Sequence, residues 1–236
     1  MRQSLPPALE NELAPRKRLS EAVIDTLATL HAVDIYDTGI VSVGKPEGLV
    51  RRQVRGWADR WQRSKTGPLD QMERIISWLE KNLPPESDQR TATIVHNDFK
   101  LDNLMLDVND PTRIIAVLDW EMTTVGDPLI DLGLVLTYWT MQGPKEDPKN
   151  RSLTAVTNGP GWMTRDEIIA RYQAKTGRDL SPILFYEIFA RFKIAVVIQQ
   201  IYFRYVKGQT RDERFRNLDV LVRSLAHDAV TLADKA

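Results

Sequence analysis

The sequence predicts an α+β fold that is mainly α, a helical body with a small β insert at its centre. Three observations carry this reading. Apolar residues recur at spacings of three and four along most of the chain, which is the rhythm of helices with one buried face. Between residues 93 and 118 that rhythm gives way to short β-branched and aliphatic runs bounded by Asn, Asp and Pro, as brief strands and turns require. Hydrophobic residues are 42% and charged residues 27% of 236. That is globular composition with length enough for a core, and it excludes a disordered, collagen-like or coiled-coil chain.

The helices follow in order. Ser20 is placed to cap a helix over 20–32, with Val23, Ile24, Leu27 and Leu30 on one face. Val50, Val54, Trp57 and Trp61 form the next face, whose spacing calls for core packing. A third helix follows Pro68, turns Met72, Ile75, Ile76 and Leu79 inward, and stops before Pro84 and Pro85. Strands are expected at 93–95, 104–106 and 114–118. Helices return at about 127–140, 164–175, 181–207 and 211–233, with a surface loop over 142–161. No composition shift marks a boundary, so one domain over 1–236 is expected.

Lys plus Arg and Asp plus Glu number 32 each, so the net charge is zero. That balance argues against a broad nucleic-acid or anionic-membrane surface. Without cysteine there is no disulfide, thiol nucleophile or thiolate metal site. The first residues carry prolines and scattered charges where a signal peptide needs an apolar core. The apolar stretches 183–190 and 194–198 are too short and interrupted to span a bilayer. A soluble, cytoplasmic protein without nucleic-acid or membrane partners is expected.

The chemistry lies in the insert, which reads Ile94-Val-His96-Asn-Asp98-Phe-Lys100-Leu-Asp102-Asn103 and then Val117-Leu-Asp119-Trp-Glu121. A loop between strands offers a carboxylate, a cation two residues on and an amide oxygen three beyond that. A second carboxylate ends the next strand. Phosphoryl transfer from a nucleotide uses this inventory: one carboxylate for the attacking hydroxyl, oxygen ligands for magnesium, and a cation for the transferring group. Hard oxygen donors suit magnesium and not a soft transition metal. The bare H-x-D-x-x-x-x-N pattern arises by chance in about one chain per hundred of this length, from average residue usage. The polar turn Gly126-Asp127-Pro128 and Asp131 on the next helix, following in compatible order, make coincidence a weak rival.

The segments HNDFKLDNLMLD, VLDWEMTTVGDPLIDLGLVLTYW and QQIYFRYVKGQTRDERF resemble the aminoglycoside phosphotransferase and choline kinase group, whose catalytic lobe is related to that of protein kinases. The closer match is to kinase-like proteins found alone in bacteria or fused ahead of acyl-CoA dehydrogenase domains, and it runs from about Ser4 to Leu232. The resemblance implies a protein-kinase-like C-terminal lobe acting with ATP and Mg2+ on a small-molecule hydroxyl. It makes Asp98 the catalytic base or orienter of that hydroxyl. Asn103 and Asp119 become magnesium ligands, and Lys100 a phosphate contact. It gives His96 and Asp131 structural support, Asp131 by gripping backbone N–H groups of the catalytic loop. An acid–base His96 is the rival reading. Glu121 stays open between a contact to substrate or metal-bound water and a solvated loop residue.

Members of this group carry an N-terminal β lobe with a phosphate-covering loop, and no strand-rich first third is visible here. Gly44-Lys-Pro-Glu-Gly48 lacks flanking strands and does not read as such a loop. The expectation is a catalytic lobe without its lid, weak in nucleotide binding and with little or no turnover on its own. A truncated chain or a lobe partnered by an N-lobe in trans would each explain this, and the missing sheet is expected to leave an apolar patch that favours self-association. A pseudokinase-like scaffold is the alternative. For the acceptor, Arg191, Lys193, Gln199, Gln200, Tyr202, Arg204, Tyr205 and Lys207 form either a cationic, aromatic rim for an anionic hydroxyacyl-CoA-like molecule or a solvated helix face. Ile194, Val197, Ile198 and Ile201 are expected in the core. The acidic pairs Glu146–Asp147 and Asp166–Glu167 are too scattered for a polycation pocket.

Overall fold

The computed structural model describes residues 5–85, 92–141 and 155–235. Its helices are α1 (Pro7–Glu10), α2 (Leu13–Leu30), α3 (Leu49–Ser64), α4 (Asp70–Lys81), α5 (Leu129–Thr140), α6 (Arg165–Thr176), α7 (Ile183–Val206) and α8 (Leu218–Ala233). Four three- or four-residue strands stand between α4 and α5: β1 (Thr93–Val95), β2 (Leu104–Leu106), β3 (Ile114–Val117) and β4 (Thr124–Gly126). The described part of residues 5–85 holds helices and turns and no strand.

The strands form two antiparallel pairs. β1 pairs with β4, setting Ile94 opposite Val125. β2 pairs with β3, Leu104 opposite Val117, with an irregularity at Met105–Leu106. The sequence reading had no β4, because Thr-Val-Gly is too short to show a period. Each pair is too small to stand alone. β1 and β4 are held because their side chains join the core, where Val95 and Val125 are fully buried.

Helix α7 is the central post, packing against α3, α4, α5 and α8. That position corrects the one-faced helix expected there. From Ile183 to Val196 nearly every residue is buried, so no solvent face exists along that stretch. Lys193 and Gln199 are interior and Val197 is 38% exposed, the reverse of the expectation. Gln199 Nε2 donates to Ser64 O at 2.8 Å, while Arg191 is half-buried and donates to Thr137 Oγ1. The cationic rim therefore survives only at the helix end, at Arg204 and Lys207. The crossing with α5 needs Gly133, where an added Cβ would lie 2.6 Å from Tyr186 O.

Ser20 does not cap α2, which starts at Leu13 with Pro15 in its first turn, where a missing N–H costs nothing. It is buried in the helix interior, donating to Arg16 O at 2.8 Å and accepting from Met163 N–H at 3.3 Å. A serine signals a cap by its local hydrogen bonding, and mid-helix that capacity turned to the preceding turn and a neighbouring chain segment. The last helix starts at Leu218, not near 211, because Asp212 accepts from Arg214 N–H and closes a separate short turn first.

Residues 142–154, including Glu146 and Asp147, lie outside the described residues. The rest of the expected 142–161 loop is partly interior: Ala155 and Thr157 are buried, and Thr157 Oγ1 donates to Trp139 O at 2.7 Å. Gly44 packs against Thr124 and Val125, and Gly48 adopts a left-handed conformation where α3 begins. No helix among the described residues is long and apolar enough to cross a membrane.

Candidate active site

The loop from β1 to β2 is shaped by Asn97, whose φ of +65° lies in the left-handed region that Asn tolerates better than most residues. The bend is fixed from beneath. Asp131, wholly buried on α5, accepts His96 N–H at 2.6 Å and Asn97 N–H at 2.7 Å, one on each carboxylate oxygen. His31 Nε2 stands 3.3 Å from the same carboxylate, and His31 Nδ1 lies 2.7 Å from Tyr172 OH. The support expected of Asp131 thus has a geometric basis, and His31 behind it is a residue the sequence did not single out.

His96 is held on both ring nitrogens. Nε2 lies 2.9 Å from Leu118 O, and Nδ1 receives Asp98 N–H at 3.3 Å. One nitrogen must donate and the other accept, which selects the neutral Nε2–H tautomer. The ring also meets Phe99 edge-on and Trp120 at 4.8 Å between centroids. The ring is fully buried, with both nitrogens engaged inside the protein.

Three of the sequence-predicted residues converge. Lys100 Nζ lies 2.5 Å from Asp98 Oδ2. Asn103 Nδ2 donates to Asp98 O at 2.9 Å and to Asp98 Oδ2 at 3.0 Å. Both partners are acceptors, so the amide NH2 faces them and only Asn103 Oδ1 remains to ligate a cation. Tyr138 OH donates to Asp98 Oδ1 at 3.4 Å, and its ring lies 5.4 Å from Lys100 Nζ. Burial, then the Asp98 charge, hold the Tyr138 hydroxyl far above the ordinary phenol range, so it stays a donor. Tyr138 lies forty residues from Asp98, and only its place two turns beyond Asp131 on α5 hinted at it.

Asp119 comes to the same place through the backbone. Leu118 N–H donates to Asn103 O at 2.8 Å, setting the end of β3 against the loop. Asp119 itself adopts φ 68°, ψ 57° and is exposed, its carboxylate without a hydrogen-bond partner among the described residues. A left-handed non-glycine residue at a chain turn is a strained arrangement of the kind found at functional sites. Glu121 is also exposed, in the turn that follows. Asp127 closes the segment by accepting Leu129 N–H at 2.9 Å and Tyr186 OH at 2.7 Å.

Among the described residues no three His, Asp or Glu side chains cluster to hold a metal. The donors present, one carboxylate and one amide oxygen, fit a magnesium ion that keeps waters and phosphate oxygens in its shell, and would be too few for an all-protein cage. Beside Lys100 and Tyr138 opens a shallow, mostly apolar cleft between α1, α2, α5 and residues 155–157. Its walls include Leu9, Leu19, Val23, Val135 and Trp139, and its polar lining includes Lys100, Asp102 and Thr157.

Comparison with known proteins gives this geometry its relatives. Acyl-CoA dehydrogenase family member 11 of Rattus norvegicus is 33% identical over 202 residues, covering 85% of this chain and 25% of that protein. The chain therefore spans about a quarter of that relative's length. The crystal structure of a candidate aminoglycoside phosphotransferase of Ralstonia eutropha JMP134 superposes with a TM-score of 0.84 at 29% identity, covering 100% of this chain and 70% of that one. Spectinomycin phosphotransferase, solved with ADP and spectinomycin, shares the fold at a TM-score of 0.53 and 13% identity, over 95% of this chain and 68% of that one. Residues 3–166 match the phosphotransferase enzyme family, APH, and the chain belongs to that family.

Proposed function

We propose that the chain carries the catalytic half of a magnesium- and ATP-dependent kinase that phosphorylates a hydroxyl on a small, partly apolar molecule. The observation that supports this most is the commitment of the Asn103 amide nitrogen to Asp98, which leaves its amide oxygen for a cation, while Leu118 N–H to Asn103 O ties the loop to the residue before Asp119. Asn103 and Asp119 would hold the magnesium, whose charge offsets that of the phosphate oxygens when bound. Asp98 orients the acceptor hydroxyl and receives its proton. Lys100, already against Asp98, is within reach of a phosphoryl group arriving there and would neutralise it. The half-exposed Met105 and Leu118 flank this site in sequence and offer an apolar shelf to a nucleobase.

For the acceptor, the cleft beside Lys100 favours a molecule with an aliphatic body over a polycation, since its walls are mostly apolar and its polar lining includes a lysine. A hydroxylated acyl compound, such as a hydroxyacyl-CoA, fits that chemistry. The relative's name, an acyl-CoA dehydrogenase family member, points the same way. The spectinomycin enzyme's complex with ADP supports a nucleotide donor by fold alone.

Calorimetric titration with ATP, with and without magnesium, tests the reading. Saturable binding that requires magnesium and is lost in Asp119→Asn supports it. Binding indifferent to both overturns the metal assignment. A subsequent acceptor screen should favour hydroxyacyl thioesters over amino sugars.

A further inference from the structure

Lys193 is a lysine with no reason to be buried unless its ammonium is used. It sits mid-way along α7 at 3% exposure, with Nζ 2.6 Å from Asn97 O and 3.5 Å from Asn97 Oδ1. The Trp57 ring lies 5.5 Å away. Among the described residues no carboxylate comes within ion-pairing distance of it. A methionine would fill similar volume against Trp57 without stripping water from a charge. Desolvation pulls its pKa down to about 8.

What Nζ holds is the peptide that leads into Asp98. Asn97 gives its N–H to Asp131, its carbonyl to Lys193 and its side-chain NH2 to Met122 O at 3.0 Å. The first contact comes from α5, the second from α7, and the third reaches the turn after Asp119. Turning the 97–98 peptide would break the Lys193 contact and also move Asp98 N–H off His96 Nδ1. We propose that Lys193 is a positioning residue, which through Asn97 sets the aim of Asp98 and ties the Asp98 loop to the Asp119 turn. This assignment rests on the phosphotransferase reading above, but the loop geometry it predicts can be measured without turnover.

The experiment compares the chain with Lys193→Met and Lys193→Arg. Three quantities are read: thermal midpoint, amide hydrogen exchange by segment, and magnesium-ATP affinity with turnover on an acceptor. In Lys193→Met the midpoint should hold or rise, because a buried charge is gone. Exchange over 92–104 should quicken about tenfold while α7 and α8 stay protected. Nucleotide affinity should change less than about threefold, while turnover falls tenfold or more, a misaimed base being costly without weakening binding. Lys193→Arg, which keeps a charged donor, should recover part of both losses. Unchanged exchange over 92–104 overturns the proposal, as does faster exchange spread evenly over the fold with a lower midpoint. If the unaltered chain neither binds magnesium-ATP nor turns over, the kinase reading fails for this chain acting alone. The exchange pattern then still decides for or against the role of Lys193.

Discussion

Asp131 accepts the main-chain N–H of Asn97 at 2.7 Å with one oxygen, while its other oxygen takes the N–H of the preceding residue. A buried carboxylate spread over two consecutive amides fixes the peptide between them more rigidly than side-chain packing would. Asp131→Asn keeps the shape but offers one acceptor and one NH2, so one of the two amides must face a donor. We expect a loss of about 2–4 kcal/mol from a charged pair of hydrogen bonds half removed in the interior. Denaturant midpoints measure it, and a loss under about 1 kcal/mol would show that the loop finds another partner.

Asp98 should separate chemistry from stability. It is partly exposed, and an Asn in its place can still meet Lys100 and Asn103. Asp98→Asn is expected to fold normally and bind nucleotide unchanged. Phosphoryl transfer should drop about 10²–10⁴-fold, the usual worth of a positioned base. Equal losses in binding and turnover would move Asp98 from the acceptor side to the nucleotide side.

Asp119 should show the opposite trade. Its left-handed backbone is an arrangement glycine adopts freely and its carboxylate makes no protein contact among the described residues. Asp119→Gly should leave the unfolding free energy within about 1 kcal/mol of the parent, because relief of the left-handed strain offsets the larger unfolded-state entropy of glycine, while removing magnesium-dependent ATP binding. A clear fall in the midpoint would show that the carboxylate serves the fold.

How far the sequence carried these assignments differs by residue. Asp98, Lys100 and Asn103 stand within six positions of one another, so their spacing alone implied a shared loop, and they do converge. The Trp57–Trp61 face of α3 followed from periodicity because one side of that helix meets the core. Lys193 was placed on a solvent rim, since charge normally marks the outer face of a helix. That inference fails for α7, which has neighbours on all sides, and tertiary packing of this kind leaves no periodic trace. Tyr138 and His31 were missed for a related reason: each reaches the site from a separate helix, over sequence distances at which one chain carries no pairing signal.

The buried ammonium of Lys193 also predicts how stability depends on pH. Its pKa falls from 10.5 to about 8 on folding, because burial disfavours the charge. Around it stand Asp131 on α5, Asp98 and Lys100 on the loop, and Arg60 on α3. Below pH 8 both states carry the proton and the folded chain bears the full cost, on the order of 3 kcal/mol by 1.36 kcal/mol per unit. Between 8 and 10.5 the unfolded chain binds more protons than the folded one, so stability rises with pH. Tyr138, Tyr172 and Tyr186 oppose this from about pH 10, the ordinary phenol value, because burial keeps them protonated in the fold while they ionise in the unfolded chain. The net expectation is a gain in unfolding free energy from pH 8 to about 10, then a plateau or fall. Denaturant titrations across that range, run beside Lys193→Met, check it. The variant should be more stable at pH 7 and lose the rise, and an identical rise in both proteins would mean that Lys193 stays protonated in the fold.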